Sequence, residues 1–281
     1  MASGKTREIC ERTAMFVLMT YPFFNAFSFL MLIAEQARIT SEASFVNIVS
    51  SIIIYLHVVA MFMCALAMKL DHAGFYVCLG HAAQLVFIVY YNIYPGAGPR
   101  YTEGLKIRVM SRAVGTVASY LTLAAILGKS AKVQRAATVL FGVFAAGCAY
   151  AVHCDLDYRL AFRLVYHVYT VDLIPSIIIH MVAVVGFLVC ALTFLNETIT
   201  RYVALALAAL VIFINIAVDC RLDFWTQRQR ADFWCALRIA TDNLPILAAL
   251  LLKALPISVY DTSNDMSNES KSEPKVESKE E

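Results

Sequence analysis

Charge is scarce in this sequence. Charged residues make up 16% of the 281 positions, whereas a soluble domain has about 25%. Hydrophobic residues make up 60%, and the mean hydropathy is +0.68. The apolar residues are grouped in blocks of about twenty, long enough to cross a hydrocarbon layer of roughly 30 Å as helices. These features exclude an ordinary soluble domain and predict an all-α polytopic membrane protein whose first partner is the lipid bilayer.

The usual signatures of metal and cofactor chemistry are also missing. The eight cysteines form no C-x-x-C pair, and no group of His and Cys has metal-ligand spacing. The sequence contains no H-E-x-x-H, no G-x-S-x-G and no Gly-rich phosphate loop. We therefore expect no metal, no cofactor and no nucleic-acid partner, and we interpret the cysteines as small packing residues.

One catalytic pattern is present, but it is weak. In "HVYTVD", His167 precedes Asp172 by five positions, the H-x4-D spacing of membrane acyltransferases. So short a motif arises easily by chance in a chain with six His. Asp172 is better interpreted as the N-cap of the helix that follows, with Pro175 in its first turn. A membrane enzyme is therefore the third hypothesis, and we expect the protein not to be an enzyme.

Long apolar runs predict eight transmembrane helices. Their approximate ranges are 13–34, 45–68, 73–94, 109–128, 136–153, 173–195, 201–218 and 235–255. The stretch 257–281 is different, because its charged residues are seven acids and three lysines with little to bury. It predicts a disordered acidic tail.

A repeat links the two halves of the chain. A shift of 126 residues aligns Cys64-Ala65-Leu66 with Cys190-Ala191-Leu192, and "FYVCLGHAAQLVFI" (75–88) with "RYVALALAALVIFI" (201–214). Because one shift serves two consecutive helices, we interpret it as a duplication. It predicts two tandem four-helix units, at 1–128 and 129–256, arranged as parallel repeats. Positive charge is balanced between the two membrane sides, so the charge rule only weakly favours cytoplasmic termini.

Polar side chains inside the spans are the first candidate binding residues. His57 lies near the middle of the second span, and His81 and Gln84 share one face of the third. Polar groups at this depth are costly and face the bundle interior or a wet cavity. The spacing predicts that the three meet inside the first unit, either as interhelical hydrogen bonds or as a ligand or proton pathway.

Charged residues near the span ends are the second set. Arg108 and Arg112 are four apart and share a helical face. They are expected either to snorkel to the membrane boundary or to line a vestibule for an anionic headgroup or peptide. Arg238 and Asp242 are also four apart and could neutralise one another, and Asn215 shares a face with Asp219.

Two further features mark the end of the bundle. Pro245 predicts a kink in the last span, because proline removes a backbone hydrogen bond. Trp225 and Trp234 are the only tryptophans, and their position between two spans predicts membrane-interface anchors, with a partner surface as the alternative.

Three stretches resemble the transmembrane protein 101 family. They are "YPFFNAFSFLMLIAEQAR" (21–38), "LKIRVMSRAVG" (105–115) and "DCRLDFWTQRQRADFW" (219–234). The resemblance implies eight spans and a link to activation of nuclear factor kappa-B signalling, with no catalytic residues.

More distantly, the four-helix unit resembles the DoxX fold and the cargo receptor Surfeit locus protein 4. These likenesses favour an endomembrane location, the endoplasmic reticulum or Golgi, over the plasma membrane. However, the final "ESKEE" is not a dilysine retrieval signal.

Two function classes lead. One is a non-enzymatic adaptor or receptor for membrane or cargo proteins, in signalling or in the early secretory pathway. The other is a transporter or a lipid- or small-molecule-binding protein that uses the His57 face or the arginines of the fourth span. An open cavity reaching the midplane would favour transport, whereas an interior filled by side chains would favour an adaptor.

Overall fold

The computed structural model describes residues 4–39, 45–70, 73–93, 103–154, 173–194, 196, 199–228 and 233–255, and all regular elements in these ranges are helices. The helices are α1 (Gly4–Ile39), α2 (Phe45–Ala67), α3 (Gly74–Ile93), α4 (Glu103–Leu127), α5 (Ala131–Cys154), α6 (Leu173–Thr193), α7 (Thr200–Ile214), α8 (Phe233–Thr241) and α9 (Asn243–Ala254). Two short π-helical segments, Asn215–Asp219 and Phe224–Arg228, follow α7. The predicted tail and the pair His167 and Asp172 lie outside the described residues.

Helix α1 begins well before the apolar run that predicted it. The expected start was residue 13, but the helix starts at Gly4. The added turns are polar, and Arg12 pairs with Glu8 one turn earlier at 2.5 Å, a spacing that stabilises an exposed helix. The helix of 36 residues therefore extends beyond the roughly 20 residues that a bilayer requires.

The last predicted span is broken into α8 and α9 at Asp242. Pro245 lies in the first turn of α9. Its ring lacks an N–H and crowds the carbonyl four residues earlier, at Thr241. The helix is therefore interrupted before the proline, and the predicted kink takes the form of a break.

The structure supports an integral membrane protein. Four stretches are long and apolar enough to cross a bilayer: Gly4–Met31, Lys106–Leu127, Ala131–Cys154 and Thr200–Asp219. Three shorter apolar stretches lie in α2, α3 and α6. Large apolar side chains are exposed along α2 and α6, as expected for surfaces that face lipid rather than water.

The helices pack in a closed order. Successive helices from α1 to α7 are neighbours, α7 packs against α9, and α9 returns to α1. Helix α4 also meets α9 across the centre of the bundle. At this crossing, a Cβ on Gly115 would lie 2.7 Å from a side-chain atom of Ile246 and 2.8 Å from one of Phe144. Glycine therefore sets the close approach of α4, α5 and α9, as small residues do at membrane helix contacts.

Candidate functional site

A buried ion cluster joins the two halves of the chain. Arg108 Nη2 donates to Asp219 Oδ1 at 2.8 Å, and Arg112 Nη2 donates to Asp219 Oδ2 at 2.5 Å. The side chains of Arg108 and Asp219 are each 1% exposed, and that of Arg112 is 6% exposed. The arginines therefore neither snorkel to the membrane boundary nor line an open vestibule, and both of those expectations are wrong. The two arginines bind different carboxylate oxygens of Asp219.

The first π segment brings Asp219 to this position. It is closed by the bond from Cys220 N–H to the Asn215 carbonyl, 2.8 Å across five residues. Asn215 and Asp219 face Asn243 of α9, whose Nδ2 donates to Asn215 Oδ1 at 2.9 Å and to Asp219 Oδ2 at 3.2 Å. The wide π turn, a feature often found at functional sites, therefore ties α7 to both α4 and α9.

Trp225 completes the cluster from the second π segment. Its ring lies under the Arg108 guanidinium, 4.1 Å from centroid to Cζ, within the range of a cation–π interaction. Its Nε1 donates to the Val218 carbonyl at 2.9 Å, and the residue is 3% exposed. The prediction of an interface anchor is therefore wrong for Trp225. Trp234 is half-buried and packs edge-on against Phe27 at 5.6 Å between ring centroids.

The interior beside the cluster is almost filled. The cavity there measures about 20 Å³, and a single water needs roughly 10–15 Å³ on the same measure. Both polar and apolar side chains line this cavity, among them Arg112, Asn243, Phe144 and Val211. The site has room for about one water and none for an organic substrate.

The structure brings His57, His81 and Gln84 together between α2 and α3. Gln84 Oε1 lies 3.1 Å from His81 Nδ1. Gln84 Nε2 donates to the His57 carbonyl at 2.9 Å and lies 3.3 Å from His57 Nδ1. His81 Nε2 has no hydrogen-bond partner in the described part of the chain, but its ring stands perpendicular to that of Tyr120, with centroids 4.5 Å apart. The side-chain amide of Gln84 links His57 and His81, so internal hydrogen bonds join α2 to α3 here.

Arg238 and Asp242 meet α1 rather than each other. Arg238 Nη2 donates to Asn25 Oδ1 at 3.2 Å, and its Cζ lies 3.8 Å from the centroid of the Phe29 ring. The Tyr21 hydroxyl donates to Asp242 Oδ1. The expected neutralisation of one residue by the other is therefore wrong. These contacts fasten the first helix to the last.

Several important residues were missed by sequence reasoning. Asp219 was noticed only because it shares a face with Asn215, Asn243 was not singled out, and nothing local marked Trp225 as an arginine partner. Lys253, buried near the end of α9, donates to Thr138 Oγ1 of α5 at 2.7 Å. The only indication in the sequence was that Lys253 is a charged residue within an apolar run. In the described ranges, no group of three His, Cys, Asp or Glu is placed to hold a metal ion.

Comparison with known proteins identifies the family of the chain. The TMEM101 protein family matches residues 4–255, which is nearly the whole chain. The chain therefore belongs to the TMEM101 family, as the three quoted stretches indicated. No solved structure matches it.

Proposed function

We propose that this TMEM101-family member is a non-enzymatic membrane adaptor or receptor that works through its surfaces and loops. One observation carries the proposal: Arg108 and Arg112 pair with Asp219 inside the bundle, beside a cavity of about 20 Å³. A transporter needs a substrate site near the midplane. At the ion cluster, polar side chains bind one another and the remaining space holds about one water.

We further propose that the chain spans the membrane eight times as two tandem four-helix units. The helix neighbours support this arrangement. In the proposed repeat, α1, α2 and α3 correspond to α5, α6 and α7, and α4 corresponds to the last span, which comprises α8 and α9. The contact of α1 with α2 then corresponds to that of α5 with α6, and the contact of α4 with α5 corresponds to that of α9 with α1. The same shift of 126 residues that aligns the apolar phrases brings Arg112 onto Arg238. Helices α4 and α9 would then meet on the axis of the repeat.

The partner of an adaptor must be reached from the membrane surface or through the lipid-facing helices. The family resemblance suggests a protein whose engagement promotes nuclear factor kappa-B signalling, in the endoplasmic reticulum or Golgi. The test is expression of the full chain in cells carrying a nuclear factor kappa-B reporter, with proximity labelling to identify neighbours and organelle markers to locate the chain. We expect the chain to raise the reporter above an empty vector. An unchanged reporter would remove the signalling assignment.

The enzyme alternative is tested in the same cells by His167→Ala. Proton transfer requires positioned partners, and the His–Asp match rests on a short spacing alone, so we expect this variant to match the wild type. Loss of the response at normal expression and location would overturn the non-enzymatic proposal.

A further inference from the structure

A second cavity lies away from the ion cluster, on the outer side of α4. It measures about 270 Å³ and lies between α3, α4 and α5. Its walls are side chains such as Val86 of α3, Ala113 and Val117 of α4, and Leu140 of α5. Apart from the hydroxyl of Tyr90, all the lining side chains are apolar. An engineered apolar cavity of about 150 Å³ binds benzene, so this groove has room for a longer hydrocarbon.

The groove has a defined depth in the membrane. Lys106 begins the apolar stretch of 22 residues in α4 and therefore marks one boundary of the hydrocarbon layer. At about 1.5 Å per residue, the α4 residues that line the groove, from Met110 to Val117, lie roughly 6–17 Å below Lys106. This interval runs through one leaflet to about the midplane of a core about 30 Å thick. The molecules that fill a membrane at this depth are acyl chains.

A cation lies on the same helical face as the groove. Lys106, Met110, Ala113 and Val117 are spaced four, three and four residues apart and share one helical face. Lys106, where the apolar stretch of α4 begins, thus lies about one helical turn before the end of the groove at Met110. Anionic headgroups are attracted by basic residues at this depth.

We propose that this groove binds one acyl chain of an anionic phospholipid whose phosphate lies beside Lys106. Lipid would then be a bound component of the protein, held where α5 of the second unit packs on α3 and α4 of the first, and separate from the ion cluster. This site goes beyond the proposed adaptor function and does not depend on it. A free fatty acid has the same tail but lacks the phosphodiester, so the headgroup distinguishes the two sources.

The experiment uses the full chain in detergent. Native mass spectrometry measures retention of phosphatidylserine, phosphatidylcholine and a fatty acid with the same acyl chain. A photoreactive acyl chain then maps the contact to peptides of α3, α4 and α5. Ala113→Phe and Val86→Trp fill the groove from two walls, and we expect each to reduce retention at least tenfold. Val185→Trp, on the exposed face of α6, is the matched control and should retain lipid as the wild type does.

The headgroup is tested separately with Lys106→Gln, and Lys132→Gln on the exposed start of α5 serves as its control. We expect only the first change to remove the preference for phosphatidylserine over phosphatidylcholine. Undiminished retention in both groove-filling variants, or labelling spread evenly over α2 and α6, would overturn the site. Equal retention of the fatty acid and the phospholipid by the wild type would overturn the assignment to a phospholipid.

Discussion

Arg108 of α4 and Asp219 at the end of α7 are 111 residues apart in sequence and 2.8 Å apart in space, and each side chain is 1% exposed. A charge buried so deeply depends on its partner. Removal of one member of a buried pair costs about 3–5 kcal/mol, because the remaining charge is left uncompensated. The contact between α4 and α7 therefore rests on this carboxylate.

Asp219→Asn should destabilise the protein by about this amount, since the amide is neutral and has one acceptor oxygen for two guanidinium groups. The measurement is thermal unfolding of the detergent-solubilised full chain. Asp223→Asn is the matched control, because Asp223 is 63% exposed and pairs with Arg221 at 3.5 Å. Equal melting temperatures for the two variants would contradict the assigned role of Asp219.

Replacing both Arg108 and Arg112 with Lys keeps the two charges but removes the planar guanidinium groups. An ammonium cannot reproduce the fixed donor geometry of a guanidinium. We expect the double variant to lose stability, and any loss of cellular response to follow the loss of folded protein. Normal abundance combined with a lost response would instead give the arginines a direct role in binding a partner.

Trp225→Phe should destabilise the ion cluster, because it changes two contacts of the indole ring. The change removes the Nε1 bond to the Val218 carbonyl, worth about 0.5–1.5 kcal/mol, and weakens a cation–π contact with Arg108 worth up to about 2 kcal/mol. Trp234→Phe is the comparison, because that ring is half-buried and packs edge-on against Phe27 and Phe233. The loss in melting temperature should be larger for Trp225, and the reverse order would show that the second π segment does not support Arg108.

Gln84→Leu should have a small effect. The amide joins His57 and His81, but hydrogen bonds between membrane helices average about 0.6 kcal/mol, with a maximum of about 1.7. We expect a modest drop in melting temperature and an unchanged reporter response. Ala83→Leu, one residue earlier on an exposed face, controls for added bulk. Loss of the response without loss of protein would favour a ligand or proton pathway along this face.

A double-mutant cycle tests the link between the first and last helices. Tyr21→Phe removes the hydroxyl that donates to Asp242, and Asp242→Asn removes the charge that accepts it. Groups in direct contact show coupling of about 0.5–3 kcal/mol. The cycle is measured by unfolding of the four proteins, and strictly additive losses would show that the pair does not hold α1 against α9.

The helices could be predicted because length and hydrophobicity are local properties. The second span was expected at 45–68 and α2 is found at Phe45–Ala67. The shared face of Arg108 and Arg112 could be predicted for the same reason, since both lie on one helix. Their partner Asp219 could not be predicted, because it lies more than one hundred residues further along the chain. Local spacing does not indicate which helices pack against each other.

The errors have a common physical origin. Tryptophan at a span end was interpreted from its depth alone, whereas Arg108 offers Trp225 a buried partner. Arg238 and Asp242 were paired because they are one turn apart, but the break at Asp242 and the polar face of α1 give each a different partner. Tertiary contacts decided the role of each side chain in these cases.

The contact between α1 and α9 has a consequence for biosynthesis. Asn25 meets Arg238 across 213 residues of sequence, and Tyr21 meets Asp242 across 221. At about 5–20 residues per second, the ribosome needs roughly 10–45 s to make the second partner after the first. During that interval the polar face of α1 has neither side chain to bind, in surroundings where unsatisfied polar groups are costly. These two contacts can therefore form only after α8 and Asp242 have been made, and a chain that stops before α8 leaves Tyr21 and Asn25 without these partners in the membrane.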